Sequence, residues 1–159
     1  MLGSSDGPLL NNLLDMSHVV GYHLPISPYN YQVEIMKAEN DNTVAMISHF
    51  DVSPKNACCI PFSCLLPLCK QRKQVIDHFY VDEEASTLTL ESTNAFCGLI
   101  NCFEKGKVFQ VIQCVEPYLI LVNTKEIFIL STSSGKPTKE DQGKIRDAIG
   151  PSTLPIKYL

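Results

Sequence analysis

Hydrophobic and polar positions alternate along most of this chain, and the alternation predicts strands. Tyr31, Val33 and Ile35 alternate with Gln32 and Glu34, the pattern of a strand with one buried face. Glu39-Asn40-Asp41-Asn42 is built from residues that tolerate turns, and Thr43 to Phe50 follows as a second strand, so the pair reads as a hairpin. The rhythm breaks from Asp51 to Lys73 and then resumes. Further strands are expected over Val75–Val81, Thr87–Ser92, Phe96–Phe103, Val108–Val115, Tyr118–Val122 and Ile127–Leu130. Most of the links between them are of hairpin length. Seven or eight short strands in this order predict an antiparallel sandwich or barrel, a mainly β fold.

One helix is expected late in the chain. Thr138 and Asp141 form a T-x-x-D start with Pro137 just ahead, and Ile145, Ala148 and Ile149 line one narrow apolar face. Gly150-Pro151 ends it. Near the other terminus, Leu9 to Met16 reads as a short helical turn inside an N-terminal arm of residues 1–28. The expected organisation is that arm, a β domain over 29–150 carrying a 51–73 insertion, and a tail over 151–159.

This order of elements resembles the pleckstrin-homology-like (PH-like) fold. Val108–Glu116, Tyr118–Val122, Ile127–Leu130 and then Thr138–Ile149 are similar to the closing strands and final helix of small PH-like domains. The resemblance spans about 115 residues from Tyr31 and implies an antiparallel barrel of about seven strands with a C-terminal capping helix. Two departures stand out. The chain has no Trp, which many PH domains carry in the last helix. The first hairpin, Tyr31–Phe50, is acidic apart from Lys37, so the family's basic inositol-phosphate site does not carry over.

With 159 residues, 45% of them hydrophobic and 19% charged, one globular domain with a sizeable core is expected. The net charge of −4 argues against a generic nucleic-acid binder. That average hides an uneven layout. Residues 1–53 hold six acids and one base, Lys37, whereas 54–75 hold Lys55, Lys70, Arg72 and Lys73 and no acid. The positive stretch also contains Cys58, Cys59, Cys64 and Cys69, four of the seven cysteines. The apolar run Ala57–Leu68 is broken by Pro61 and Pro67 and is too short to cross a bilayer as a helix. Met1 to Asp15 lacks the basic start and long apolar core of a secretory signal, and Gly3 does not directly follow Met1 as myristoylation requires. An odd cysteine count without such a signal points to a reducing, cytoplasmic setting.

Thiols among large apolar side chains, directly before three cations, suit attachment to a membrane surface. Acylated (palmitate-bearing) Cys58, Cys59, Cys64 and Cys69 would bury in the lipid boundary while Lys70, Arg72 and Lys73 meet anionic headgroups. Each basic residue near such a surface contributes about 1 kcal/mol. The resulting expectation is a non-catalytic, peripheral-membrane adaptor that binds protein or lipid with its barrel. Two alternatives stay open. The segment also reads as an apolar loop folded over the barrel or buried against a partner in a larger assembly. Alternatively, Cys64 and Cys69 with Cys97 and Cys102 repeat an x₄ gap and offer four thiolates to zinc.

No cofactor, resident metal or catalytic residue is expected. A thiol nucleophile needs a base and an orienting third group, and alternation places His78 and Asp77 on opposite strand faces. The chain has no phosphate-cradling Gly-rich loop and no H-E-x-x-H. Glu83 and Glu84 read as solvated turn residues. Cys97, Cys102 and Cys114 fall in expected strands, where burial is the simpler account. Tyr22, Tyr29 and Tyr31 either line a recognition groove or fasten the N-terminal arm to the barrel.

Overall fold

In the computed structural model the described residues are 7–24, 29–51, 72–95 and 106–159. They form nine antiparallel strands in one sheet, curled into a half-barrel, with two helices. The elements are α1 (Pro8–Asp15), β1 (His18–His23), β2 (Tyr29–Lys37), β3 (Thr43–Asp51), β4 (Arg72–Asp82), β5 (Thr87–Ala95), β6 (Val108–Ile112), β7 (Tyr118–Val122), β8 (Ile127–Ser131), α2 (Lys139–Ile149) and β9 (Lys157–Tyr158). Strands β2 to β8 lie side by side in chain order. Strand β1 then pairs with β8, from His18 opposite Ser131 to His23 opposite Ile127, and β9 adds to β1 at Gly21 and Tyr22.

Rings at the two ends of the strand order show that the sheet bends back on itself. Tyr31 on β2 stacks on Tyr22 of β1 at a centroid distance of 5.7 Å and approaches Phe128 of β8 at 6.3 Å. In the strand order β2 and β8 are separated by five intervening strands. The interior so enclosed holds Val33, Ile35, Val44, Met46, Phe79, Val81, Leu88, Phe109, Leu119, Leu121, Phe128 and Leu130.

Helix α1 fills that interior. Its PLLNNLLD sequence starts with Pro at the first turn and puts Leu9, Leu10 and Leu13 inward, all nearly inaccessible, with the asparagines outward. Residues 8–23, expected as an arm, thus supply both a core helix and a paired strand. The late helix has the expected start: Thr138 Oγ1 accepts from Asp141 N at 3.1 Å. Ile145 packs with Val20, Val115, Ile120, Ile127 and Ile129, a second cluster on the face of the sheet away from the interior.

Two apolar layers explain why β7 (YLILV) and β8 (IFILS) read as continuous runs rather than alternations. Both faces of each strand are covered, Leu119 and Leu121 by the interior and Ile120 by α2. Gly21 is needed where β9 crosses β1, because a Cβ there would lie 2.9 Å from the Tyr158 ring. Arg146 holds the chain leaving α2 by donating to the carbonyls of Ser152 and Leu154 at 3.1 and 2.8 Å.

Several boundaries differ from expectation. Strand β3 runs to Asp51 and β4 begins at Arg72, with Asp51 opposite Arg72 and Phe50 opposite Lys73, so the connection is 52–71. Strand β6 stops at Ile112 rather than Val115. The chain bends at Cys114–Val115 before the cis Glu116-Pro117 bond, and Cys114 is exposed rather than buried. The strand expected over Phe96–Phe103 lies outside the described residues, as do Cys97 and Cys102.

Candidate functional site

Antiparallel registers sort every connection to one of two ends of the half-barrel. The β2–β3, β4–β5 and β6–β7 turns are at the end occupied by α1. The strand ends joined by the β1–β2 link, the β3–β4 connection over 52–71, the β5–β6 connection over 96–107 and the β7–β8 turn are at the other end. At this second end Val75 of β4 lies opposite Ala95 of β5. The two cysteine-bearing connections therefore leave from neighbouring strands, and six of the seven cysteines belong to them.

The interior changes character toward this end. Alternation from Phe79 and Val81 puts Asp77 on the inward face of β4, and the same parity turns Tyr31, Ser48, Lys107 and Glu126 inward on or beside β2, β3, β6 and β8. Thr93 Oγ1 donates to Asp77 Oδ1 at 2.8 Å. Tyr31 donates its phenolic hydrogen to Ser48 Oγ at 3.2 Å. Lys107 Nζ donates to Glu126 Oε1 at 2.7 Å, with both side chains largely covered. Tyr31 also stacks on Phe50, 5.6 Å away and nearly parallel. An apolar core gives way here to a layer of paired polar groups beneath the second end. Among the described residues no buried side-chain polar atom lacks a partner.

Electrostatics follow from this burial. Burial pushes the Asp77 carboxyl up from its ordinary range, opposed by the Thr93 hydrogen bond and the Lys107 ammonium. Burial likewise raises the Tyr31 phenol, opposed by its bond to Ser48. His78 points to the other face of β4, where its Nδ1 meets Ser92 Oγ at 3.3 Å. The expected separation of His78 from Asp77 is what the strand produces.

Outside this layer, a shallow groove of about 430 Å³ runs between the 106–108 segment and the β7–β8 turn and is flanked by Lys107 and Lys125. The turn is held by Asn123, whose Oδ1 accepts from the backbone of Lys125 and Glu126 at 2.8 Å each. Gly106 takes φ 90°, a left-handed backbone open to glycine, and its N–H donates to the Leu90 carbonyl at 2.8 Å.

Cys58, Cys59, Cys64, Cys69 and Lys70 lie outside the described residues. Arg72 and Lys73 are the first two residues of β4, at the second end. Sequence reasoning missed Asp77, Lys107 and Glu126. The signal available was parity, since each falls on the strand face whose other positions are large and apolar. The N-terminal tyrosines resolve in part: Tyr22 and Tyr31 stack to join β1 to β2. Among the described residues no helix is long and apolar enough to cross a membrane, and no cluster of His, Cys, Asp and Glu is arranged to hold a metal ion. No protein-family model matches the chain, and neither a curated protein nor a solved structure matches it.

Proposed function

We propose that this protein is a non-catalytic adaptor of PH-like architecture, held at a membrane surface by acylation of Cys58, Cys59, Cys64 and Cys69 and by the cations Lys70, Arg72 and Lys73. One observation carries the reading. The facing ends of β3 and β4, which the four cysteines and Lys70 separate in sequence and at which Arg72 and Lys73 open β4, are at the end of the half-barrel away from α1, and the second cysteine-bearing connection leaves from the adjoining strand. Attachment through a connection that leaves from one end of the half-barrel would keep the rest of its surface for a protein or lipid partner. Several acyl sites with a basic stretch are the combination that holds, since one chain gives only marginal binding. Seven consecutive antiparallel strands followed by a helix support the PH-like reading.

Fractionation of the native protein tests it. The wild-type chain is expected in the membrane fraction with hydroxylamine-sensitive acylation, and the Cys58/Cys59/Cys64/Cys69→Ser variant in the supernatant. A soluble wild-type chain with four unmodified thiols overturns the proposal.

The pairing of Val75 with Ala95 also favours a second reading, a thiol-ligated zinc module. It brings together the strand ends nearest Cys69 and Cys97 in a chain with two C-x₄-C pairs. Stoichiometric zinc in the native protein, lost on Cys64/Cys69→Ser, promotes that reading. Its absence ends it.

A further inference from the structure

The face of the sheet away from the interior differs between its two halves. Over β7, β8 and β1 it is covered by α2, where Ile145 meets Ile120, Ile127 and Ile129. The outward residues of β2 to β5 belong to neither buried cluster. An antiparallel sheet with a solvated face carries polar residues at its outward positions. Here Met36, Ala45, Ile47, Ile76, Tyr80 and Val108 stand outward, and the registers group them. Met36 pairs with Ala45, Ile47 with Ile76, and Tyr80 reaches Val108 through Thr89. Met36 is 48% exposed, Tyr80 41% and Val108 46%, three of the four exposed large apolar side chains among the described residues. The charged side chains described at outward positions of this half are acidic. Glu34 lies opposite Ile47, Asp82 closes β4, and Glu91 is exposed where β5 bulges against β4. Glu39 and Asp41 occupy the adjoining β2–β3 turn. Lys37 ends β2 with the inward parity, opposite Val44, and Arg72 stands at the far end of β4, opposite Asp51.

We propose that the outer face of β2 to β6 docks a partner protein through an amphipathic helix with Lys or Arg along both flanks of its apolar stripe. The inference deepens the adaptor reading and rests on it, naming the surface and the chemistry of the protein that the domain holds. Grouped exposed apolar side chains mark interaction surfaces. Helix α2 supplies the template, since Ile145, Ala148 and Ile149, at i, i+3 and i+4, cover outward aliphatic residues of the same sheet. From Ile76 to Tyr80 the strand rises about 13 Å, the length of two to three helical turns. Charge selects the occupant. A second copy would bring acids against acids, and an anionic leaflet would be repelled. Basic flanks meet Glu34 on β2 and Glu91 on β5, on either side of the Ile47–Ile76 pair.

Photocrosslinking in the native host tests this on the full chain. Tyr80→p-benzoylphenylalanine places the reactive group in the patch, and Lys144→p-benzoylphenylalanine places one on the exposed side of α2 as a control. The expected product at position 80, well above the control, is a segment with aliphatic residues at i, i+3 and i+4 and Lys or Arg on both sides. A synthetic peptide of that segment is expected to bind the full chain, about five-fold more weakly after Glu34→Gln and about ten-fold after Met36→Asp, with affinity falling as salt is raised. Both substituted side chains are exposed, and unchanged melting temperatures are expected to show that the fold is kept. Capture of a second copy, of lipid or of a segment without basic flanks overturns the proposal. So do equal yields at the two positions, no capture, or binding indifferent to both substitutions. The hydroxylamine fractionation reads attachment alone, so attachment and docking fail separately.

Discussion

Glu83, in the turn after β4, caps a helix that begins 75 residues earlier: its Oε1 accepts from the Leu9 backbone N–H at 2.8 Å and from Leu10 N at 3.4 Å. The first turn of α1 has no acidic residue, and its Ncap, Gly7, has no side chain to offer. A Cβ on residue 7 would collide with the Glu83 carboxylate, so glycine there makes room for the cap. A residue that reads as a solvated turn acid is thereby the partner of the orphan donors and positive dipole of a buried helix.

Glu83→Ala is expected to cost about 1 kcal/mol, the usual worth of an N-cap acceptor. Glu83→Gln retains an oxygen acceptor and is expected to lose less, while Glu84→Ala, at the exposed neighbouring position, is expected to change little. Urea denaturation of the three variants checks this. Equal effects at 83 and 84 would remove the capping role.

Asp77 makes stability depend on pH in the sense opposite to most carboxylates. Its folded pKa is raised above the unfolded value near 4, so in the window above that value the folded state binds more protons than the unfolded chain. Its contribution is therefore most favourable below the window and declines as pH rises through it. Asp77→Asn, which keeps an acceptor for Thr93, is expected to be more stable than wild type at pH 7 and to lose that advantage toward pH 4. Melting temperatures of both proteins across this range measure it. A less stable Asn variant at pH 7 would mean that Lys107 outweighs the burial.

Leu13 and Ile145 report on the two apolar layers separately. Both are fully buried, one in the interior and one under α2. Leu13→Ala and Ile145→Ala are each expected to cost about 2–5 kcal/mol by denaturant titration. A loose N-terminal arm would instead leave Leu13→Ala within about 0.5 kcal/mol of wild type, the range of surface changes.

The Lys107–Glu126 pair is expected to couple more strongly than Lys144–Glu140, the exposed i,i+4 pair on α2. A double-mutant cycle on the exposed pair should return about 0.3–0.5 kcal/mol. The covered pair, at 2.7 Å with only 22% and 13% side-chain exposure, should exceed that, because removing either partner leaves the other charge buried. Equal coupling in the two cycles would show that water screens both alike.

Local pattern in the sequence determined a good deal of this protein. Alternation and short apolar runs between turns gave β2 to β8, the Thr138–Asp141 cap gave the start of α2, and the cysteine-rich basic stretch was visible without coordinates. These are properties of a residue and its near neighbours, which propensity, capping and period report directly. What the tertiary structure decided depends on which side of the sheet each element covers. The leucines of 8–15 fit a surface helix or a core helix equally, and only the curl of the sheet creates the interior that takes them in. Strand β1 carries Gly21 and two histidines and offers no alternation. It is a strand because β8 presents an edge to it, a partner more than a hundred residues away. The meeting of Asp77 with Thr93, and of Lys107 with Glu126, follows from register between separate strands. No window of sequence contains that information, because register is fixed by the cross-strand pairs that burial selects.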